Sequence, residues 1–262
     1  MPNVNYMGST NFLIEVAKGK VAGHSFVNKF GHNPTITTAT DPEDVWAGGG
    51  IYAFYPTSAQ AMEIVSSSTE DGPGGTGALT VFVYGLNEDW EETTETLTMN
   101  GTTPVPLTNT YRRMYRAFAI TAGSNETNVG NITVRDTGTS TTAIYIAAGD
   151  GQTQQAIYTI PGGHRAWFVK GYVGVSSSAK NLANGAVFKW KVRPNNGVNG
   201  AWQVKGQIEC INYGSSWFQY EYGIPAGPLP EKTDIRIECT EVSDTFGVVG
   251  GFDLLLVKEG YE

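Results

Sequence analysis

The chain has 262 residues, only 16% of them charged, and a formal net charge of -8. That length is enough for one large core or two packed ones, and the acidic balance excludes a general phosphate-backbone binder, which needs clustered Lys and Arg. No apolar stretch reaches the roughly 20 residues that span a bilayer, and Met1 to Thr10 has neither a basic start nor an apolar run. The expectation is a soluble chain without the usual export signal, with neither nucleic acid nor membrane as partner.

Residues 1–45 differ from the rest. Between Asn11 and Phe30, the apolar residues Leu13, Ile14, Val16, Val21, Phe26, Val27 and Phe30 mix with Lys18, Lys20 and Lys29 in no period of two. A helical turn or two fits Phe12 to Lys18, but Gly19, Gly23, Gly31 and the Pro34 to Pro42 stretch interrupt any long helix. The segment reads as an extended N-terminal arm, ordered by packing on its own domain or on a neighbouring subunit.

From Trp46 onward one short strand follows another, punctuated by Gly, Pro, Asn and Ser. Strands are predicted near Ile51 to Tyr55, Ala61 to Ser66, Ala78 to Leu86, Glu91 to Met99, Met114 to Ile120, Asn131 to Asp136, Ala143 to Ala148 and Gln155 to Ile160. Beyond Pro161-Gly162-Gly163 they continue near Arg165 to Val175, Ala186 to Arg193, Ala201 to Asn212, Trp217 to Tyr222, Thr233 to Glu241 and Phe252 to Lys258. Phe188, Trp190 and Val192 share one face while Lys189, Lys191 and Arg193 share the other. Ile235, Ile237 and Cys239 likewise oppose Asp234, Arg236 and Glu238. Such strands have one core face and one wet face, which favours an all-β, antiparallel sandwich of jelly-roll type over a parallel α/β sheet. Residues 46–262 form this region, either as one intimately packed unit or as two sandwiches, 46–160 and 161–262, meeting at Pro161.

Candidate chemistry is sparse. Cys210 and Cys239 fall on apolar sides of their strands and read as buried free thiols. His24, His32 and His164 lack a second ligand at metal spacing, and the Ser176 to Ser178 run lacks a nucleophile-elbow context, so neither a metal site nor a catalytic set is expected. The acidic cluster Glu88, Asp89, Glu91, Glu92 and Glu95 around Trp90 raises the question of a glycosidase pair or a Ca²⁺ site. A charged hairpin loop accounts for it better, since a catalytic pair converges at about 5 to 9 Å from separate strands.

Arg112, Arg113 and Arg116, interleaved with Tyr111 and Tyr115, make the one dense basic and aromatic patch, with the composition of an interface anchor. Set against the acidic loop, the patch suggests an electrostatic lock between identical subunits. Phe26, Phe30, Arg112, Arg113, Tyr115 and Arg116 are therefore the candidate subunit interface. Trp167, Trp202 and Trp217 are an alternative carbohydrate platform, although strand Trp is more often core.

Several segments, in order, resemble a family of tailed-bacteriophage virion structural proteins of marine and environmental phages. They are Lys20-Val21-Ala22-Gly23-His24 through Lys29-Phe30-Gly31-His32-Asn33-Pro34, then Asp44-Val45-Trp46 with Gly48-Gly49-Gly50 and Ile51-Tyr52. They continue with Glu95-Thr96-Leu97-Thr98-Met99-Asn100-Gly101-Thr102, Gly130-Asn131-Ile132-Thr133-Val134-Arg135 and Gly251-Phe252-Asp253-Leu254-Leu255-Leu256-Val257. The resemblance implies a non-enzymatic virion protein without cofactor, made in the host cytoplasm and assembling with itself, a trimer being one option, and with the major capsid protein or other virion proteins. An auxiliary capsid subunit, a cement or decoration protein, is the first expectation. A neck or tail component is the second. A glycan-binding adhesion module using Trp217, Tyr220 and Tyr222 or the Trp90 loop is the third.

Overall fold

The computed structural model describes residues 12–176, 184–195, 200–212, 216–240, 242 and 245–262. Asn11, Ser177 and Ser178 lie outside the described residues, as do the side chains of Trp217, Tyr220 and Tyr222. A short helix α1 (Phe12–Ala17) precedes the strands β1 (His24–Ile36), β2 (Glu43–Asp44), β3 (Gln60–Ser66), β4 (Ala78–Leu86), β5 (Glu92–Thr98), β6 (Val105–Tyr111), β7 (Arg113–Ala122) and β8 (Ile132–Asp136). There follow β9 (Thr142–Ile146), β10 (Ile157–Thr159), β11 (His164–Ser176), β12 (Asn184–Pro194), β13 (Gln203–Asn212), β14 (Ser216–Leu229), β15 (Thr233–Thr240) and β16 (Phe246–Lys258).

The protein is an all-β chain of antiparallel sheets arranged as two sandwiches. In the first, a sheet of order β1-β16-β11-β14 faces a sheet of order β10-β15-β12-β13, to which β2 adds by pairing with β15. Phe168, Val173, Phe252 and Leu254 from one sheet meet Phe188, Trp190, Ile235 and Ile237 from the other. In the second, order β6-β3-β8-β9 faces order β5-β4-β7. Met62, Ile64, Ile132 and Val134 pack there on Val81, Val83, Leu97 and Met114. The alternation that predicts these strands is the one that fills the cores, because successive side chains leave opposite faces of a strand.

The chain enters the first sandwich with β1 and β2, builds the second with β3 to β9, and returns to the first with β10 to β16. Within the arm, β1 and β2 pair with strands of their own chain. The 13-residue β1 pairs with β16 from His24 opposite Val257 to Ile36 opposite Phe246. Its buried positions include Lys29, Gly31 and Asn33, so no apolar alternation marks it as a strand. Gly31 is required by space: a Cβ there would lie 2.1 Å from the Val45 carbonyl oxygen and 2.5 Å from the Ala156 nitrogen.

Two sequence expectations are corrected. Ile51 to Tyr55 is not a strand: the Tyr52 N–H donates to Asp44 Oδ2 at 2.7 Å instead of to a ladder, and the Tyr52 and Phe54 rings anchor the segment in the second core. The polar face of β15 is not wet either. Asp234, Arg236 and Glu238 are buried, because residues 43–56 and the second sandwich cover that side of the sheet. Cys210 and Cys239 are buried and unbridged, and burial raises both thiols, Cys210 to about 11. No helix among the described residues is long and apolar enough to cross a membrane.

Candidate interface site

The residues that sequence reading groups as one patch are distributed by β7 to two sides. β7 carries a bulge: Tyr84 of β4 faces Arg116 and Gly85 faces Met114, which leaves Tyr115 with no residue opposite. Tyr115 turns into the core of the first sandwich, where its ring meets Tyr158 at 4.8 Å, while Met114 and Ala117 stay in the second. The bulge therefore ties the two sandwiches together.

On one side lies a buried ionic brace. Arg113, 4% exposed, places Nε 2.8 Å from Asp234 Oδ1 and Nη2 3.1 Å from Oδ2, and its Nη1 donates to the carbonyls of Pro56 and Arg112. Asp234 also accepts from Arg193 Nη2 at 2.7 Å, Asn195 Nδ2 at 2.7 Å and Thr159 Oγ1 at 2.7 Å. Burial works against the Asp234 charge, but Arg113, Asn195 and Arg193 outweigh it and hold the carboxyl below the usual range. Aromatic rings and guanidinium groups alternate across this region. Arg113 lies over Trp90 at 5.0 Å and Tyr55 at 5.3 Å, Arg193 over Tyr55 at 4.4 Å and Trp202 at 4.7 Å, and Arg236 over Trp202 at 4.3 Å. Arg236 in turn binds Asp44 at 3.1 Å and Glu238 at 2.6 Å. Sequence reading gives Tyr55 to a strand, Arg193 and Asp234 to wet faces and Trp202 to a carbohydrate platform, because nothing local marks their convergence.

On the other side Phe26, Tyr115 and Arg116 line a cleft of about 200 Å³ with Lys29, Tyr84, Glu92 and Tyr158. Lys29 Nζ donates to the carbonyl of Tyr115, the bulged residue. Burial, reinforced by Arg116, pushes the Lys29 ammonium down to about 7. Phe30 is half-buried on β1 and lines neither the brace nor the cleft.

One contact between the patch and the acidic loop forms inside the chain. Arg112 Nη1 lies 2.8 Å from Glu88 Oε1 and its guanidinium covers Trp90 at 4.6 Å. Arg112 and Arg113 thus find acidic partners within the chain, whereas Arg116 is exposed and in no ion pair among the described residues. The Arg112 contact also takes Trp90, 8% exposed, out of the candidate sugar surfaces. Glu95 accepts from Thr108 N, Asn109 N and the Tyr111 hydroxyl, which accounts for another loop acid. Trp202 is held between two guanidinium groups, and the Trp217, Tyr220 and Tyr222 side chains lie outside the described residues.

No family model matches the chain, and no curated protein matches it. Solved structures that align with it include particles of infectious bursal disease virus. A mutant VP2 protein in derived T=1 particles is 12% identical, over 91% of this chain and 71% of that one, with a TM-score of 0.25. The T13 particle is 13% identical, over 90% and 70%, again at 0.25. Likeness at that score carries no argument about fold or role.

Proposed function

We propose that this chain is a non-enzymatic structural protein of a tailed-phage virion, used as an auxiliary capsid subunit of the cement or decoration kind. The observation that carries the reading is the use the chain makes of its charged side chains. Arg113, Arg193, Arg236, Asp44, Asp234 and Glu238 are buried in the brace that fixes one sandwich on the other, in place of lining an open catalytic pocket. The segments from Lys20-Val21-Ala22 to Leu255-Leu256-Val257, in that order along the chain, supply the resemblance that points to a virion.

A shell subunit works as a rigid body repeated many times, where one modest contact is multiplied by symmetry. The surface that serves such contacts in this reading is the rim around Phe26 and the exposed Arg116, with partners in a second copy of the chain and the major capsid protein. The net charge of -8 on the chain as a whole favours solubility and disfavours contact with packaged nucleic acid. Quantitative mass spectrometry of purified particles tests the proposal. Hundreds of copies per particle are expected; about a dozen would move the chain to the neck or tail, and absence from particles would overturn the virion reading.

A further inference from the structure

The cleft between β1 and β7 has the makings of a ligand site that a subunit contact does not by itself explain. At its base sits Lys29, 6% exposed, whose hydrogen-bond acceptor among the described residues is one carbonyl, that of Tyr115. An ammonium carries three donors, and with one carbonyl and the Tyr115 ring at 5.7 Å as its partners it keeps donor capacity that is costly to bury unused. Tyr158 also lines the cleft; its hydroxyl is buried, with the residue 2% exposed, and has no hydrogen-bond partner among the described residues. Arg116 stands at the exposed rim, packed over the Phe118 ring at 5.5 Å and in no ion pair among the described residues. The walls are Phe26, Val27, Tyr84 and the Tyr115 and Tyr158 rings.

We infer that this cleft binds a carboxylate carried on a short apolar stem. A carboxylate offers two oxygens to the spare donor capacity of the Lys29 ammonium and to the Tyr158 hydroxyl, and its stem takes the aromatic walls. The charge at the site selects a monoanion. Glu92 also lines the cleft and accepts from the Tyr115 hydroxyl at 3.3 Å, so two cations face one resident anion and a phosphate dianion is disfavoured. A volume near 200 Å³ suits a group the size of a glutamate side chain or benzoate. The site belongs to the single chain and does not depend on the virion reading.

Proton linkage gives the site a signature. The groups around the amine are Arg116 and Tyr115 of β7, Glu92 of β5, Tyr84 of β4 and Tyr158 of β10. Burial keeps the Tyr115 and Tyr158 hydroxyls neutral, and without ligand Lys29 releases its proton near 7. A bound carboxylate favours the charged amine, so binding takes up a proton above pH 7 and weakens toward pH 9.

Benzoate titrated into the full chain and followed by NMR is the test, with inorganic phosphate as competitor. Saturable binding is expected, at least tenfold weaker in Lys29→Met, several-fold weaker in Tyr158→Phe and unmoved by phosphate. Tyr158→Phe removes a hydroxyl without a partner, so it remains informative even where Lys29→Met perturbs the fold. Absence of benzoate binding, equal affinity in both variants, or equal competition by phosphate overturns the inference. Sedimentation then separates two sources of the carboxylate. Benzoate that dissociates a self-associated species, with Lys29→Met doing the same, identifies an acidic side chain of a second copy; unchanged sedimentation with retained binding identifies a free carboxylate.

Discussion

Arg113→Met tests whether the brace is internal to the chain. The substitution keeps most of the side-chain volume and leaves Asp234, fully buried, without its first guanidinium. Removing one partner of a buried pair costs about 3–5 kcal/mol, mostly from the charge left behind. Asp234 keeps Arg193, Asn195 and Thr159, which places the loss at the lower end, about 3 kcal/mol. For a chain of this size that is a fall of about 6–12 °C in Tm. Arg112→Met is the control, because its partner Glu88 is 54% exposed and such pairs contribute under about 1 kcal/mol.

Calorimetry and urea denaturation of both variants provide the readout, and because Arg113 joins the sandwiches its loss is expected to separate unfolding into two transitions. The pH dependence has a definite sign. The Asp234 carboxyl is held below its unfolded value, so the brace contributes fully above about pH 4 and is lost as pH falls through the lower folded value; the gap between wild type and Arg113→Met narrows in acid. A loss equal to that of Arg112→Met, or weakened self-association at unchanged monomer stability, would refute the internal brace and restore Arg113 to the subunit interface.

Two further substitutions probe β1. Gly31→Ala puts a methyl group against the Val45 carbonyl and the Ala156 nitrogen, both backbone atoms, and is expected to destabilise by about 3 kcal/mol or more in urea titration; a cost under about 1 kcal/mol would mean that β1 shifts freely on the sheet. Lys29→Met removes a buried amine and is expected to stabilise the chain by about 1–3 kcal/mol at pH 7. The folded amine loses its proton near 7 while the unfolded one holds it to about 10.4, so wild-type stability rises between pH 7 and 9 through this group. That rise is absent in Lys29→Met, and denaturation midpoints across the range decide it.

The strands legible in the sequence are those whose inward positions are apolar. β12 with Phe188, Trp190 and Val192, and β15 with Ile235, Ile237 and Cys239, bury the predicted faces. β1 hides because Lys29, Gly31 and Asn33 fill its buried positions. β6 hides because Pro106, Thr108, Asn109 and Thr110 dilute Leu107 and Tyr111. The opposite faces of β12 and β15 mislead for another reason. Alternation reports which side of a strand is apolar, and it cannot report that a second sandwich covers the polar side. The candidate site was legible in part. Phe26, Tyr115 and Arg116 do share a cleft, whereas Arg113 left the surface for Asp234, a residue 121 positions away.

The buried ions have a physical cost that explains why they sit where they do. A junction of apolar residues alone holds two sandwiches together without choosing one relative orientation, since hydrophobic contact has no direction. Asp234 has direction: it accepts from Arg113 of the second sandwich and from Arg193 and Asn195 of the first, and any slip that breaks one of these leaves a charge in a dry site. The Trp90, Tyr55 and Trp202 rings fix the guanidinium planes as well as their charges. The brace is expected to exchange stability for a single arrangement of the two halves. In a chain proposed to repeat around a shell, that arrangement sets the distance between contact surfaces on the two sandwiches, and an error in it would recur at every copy.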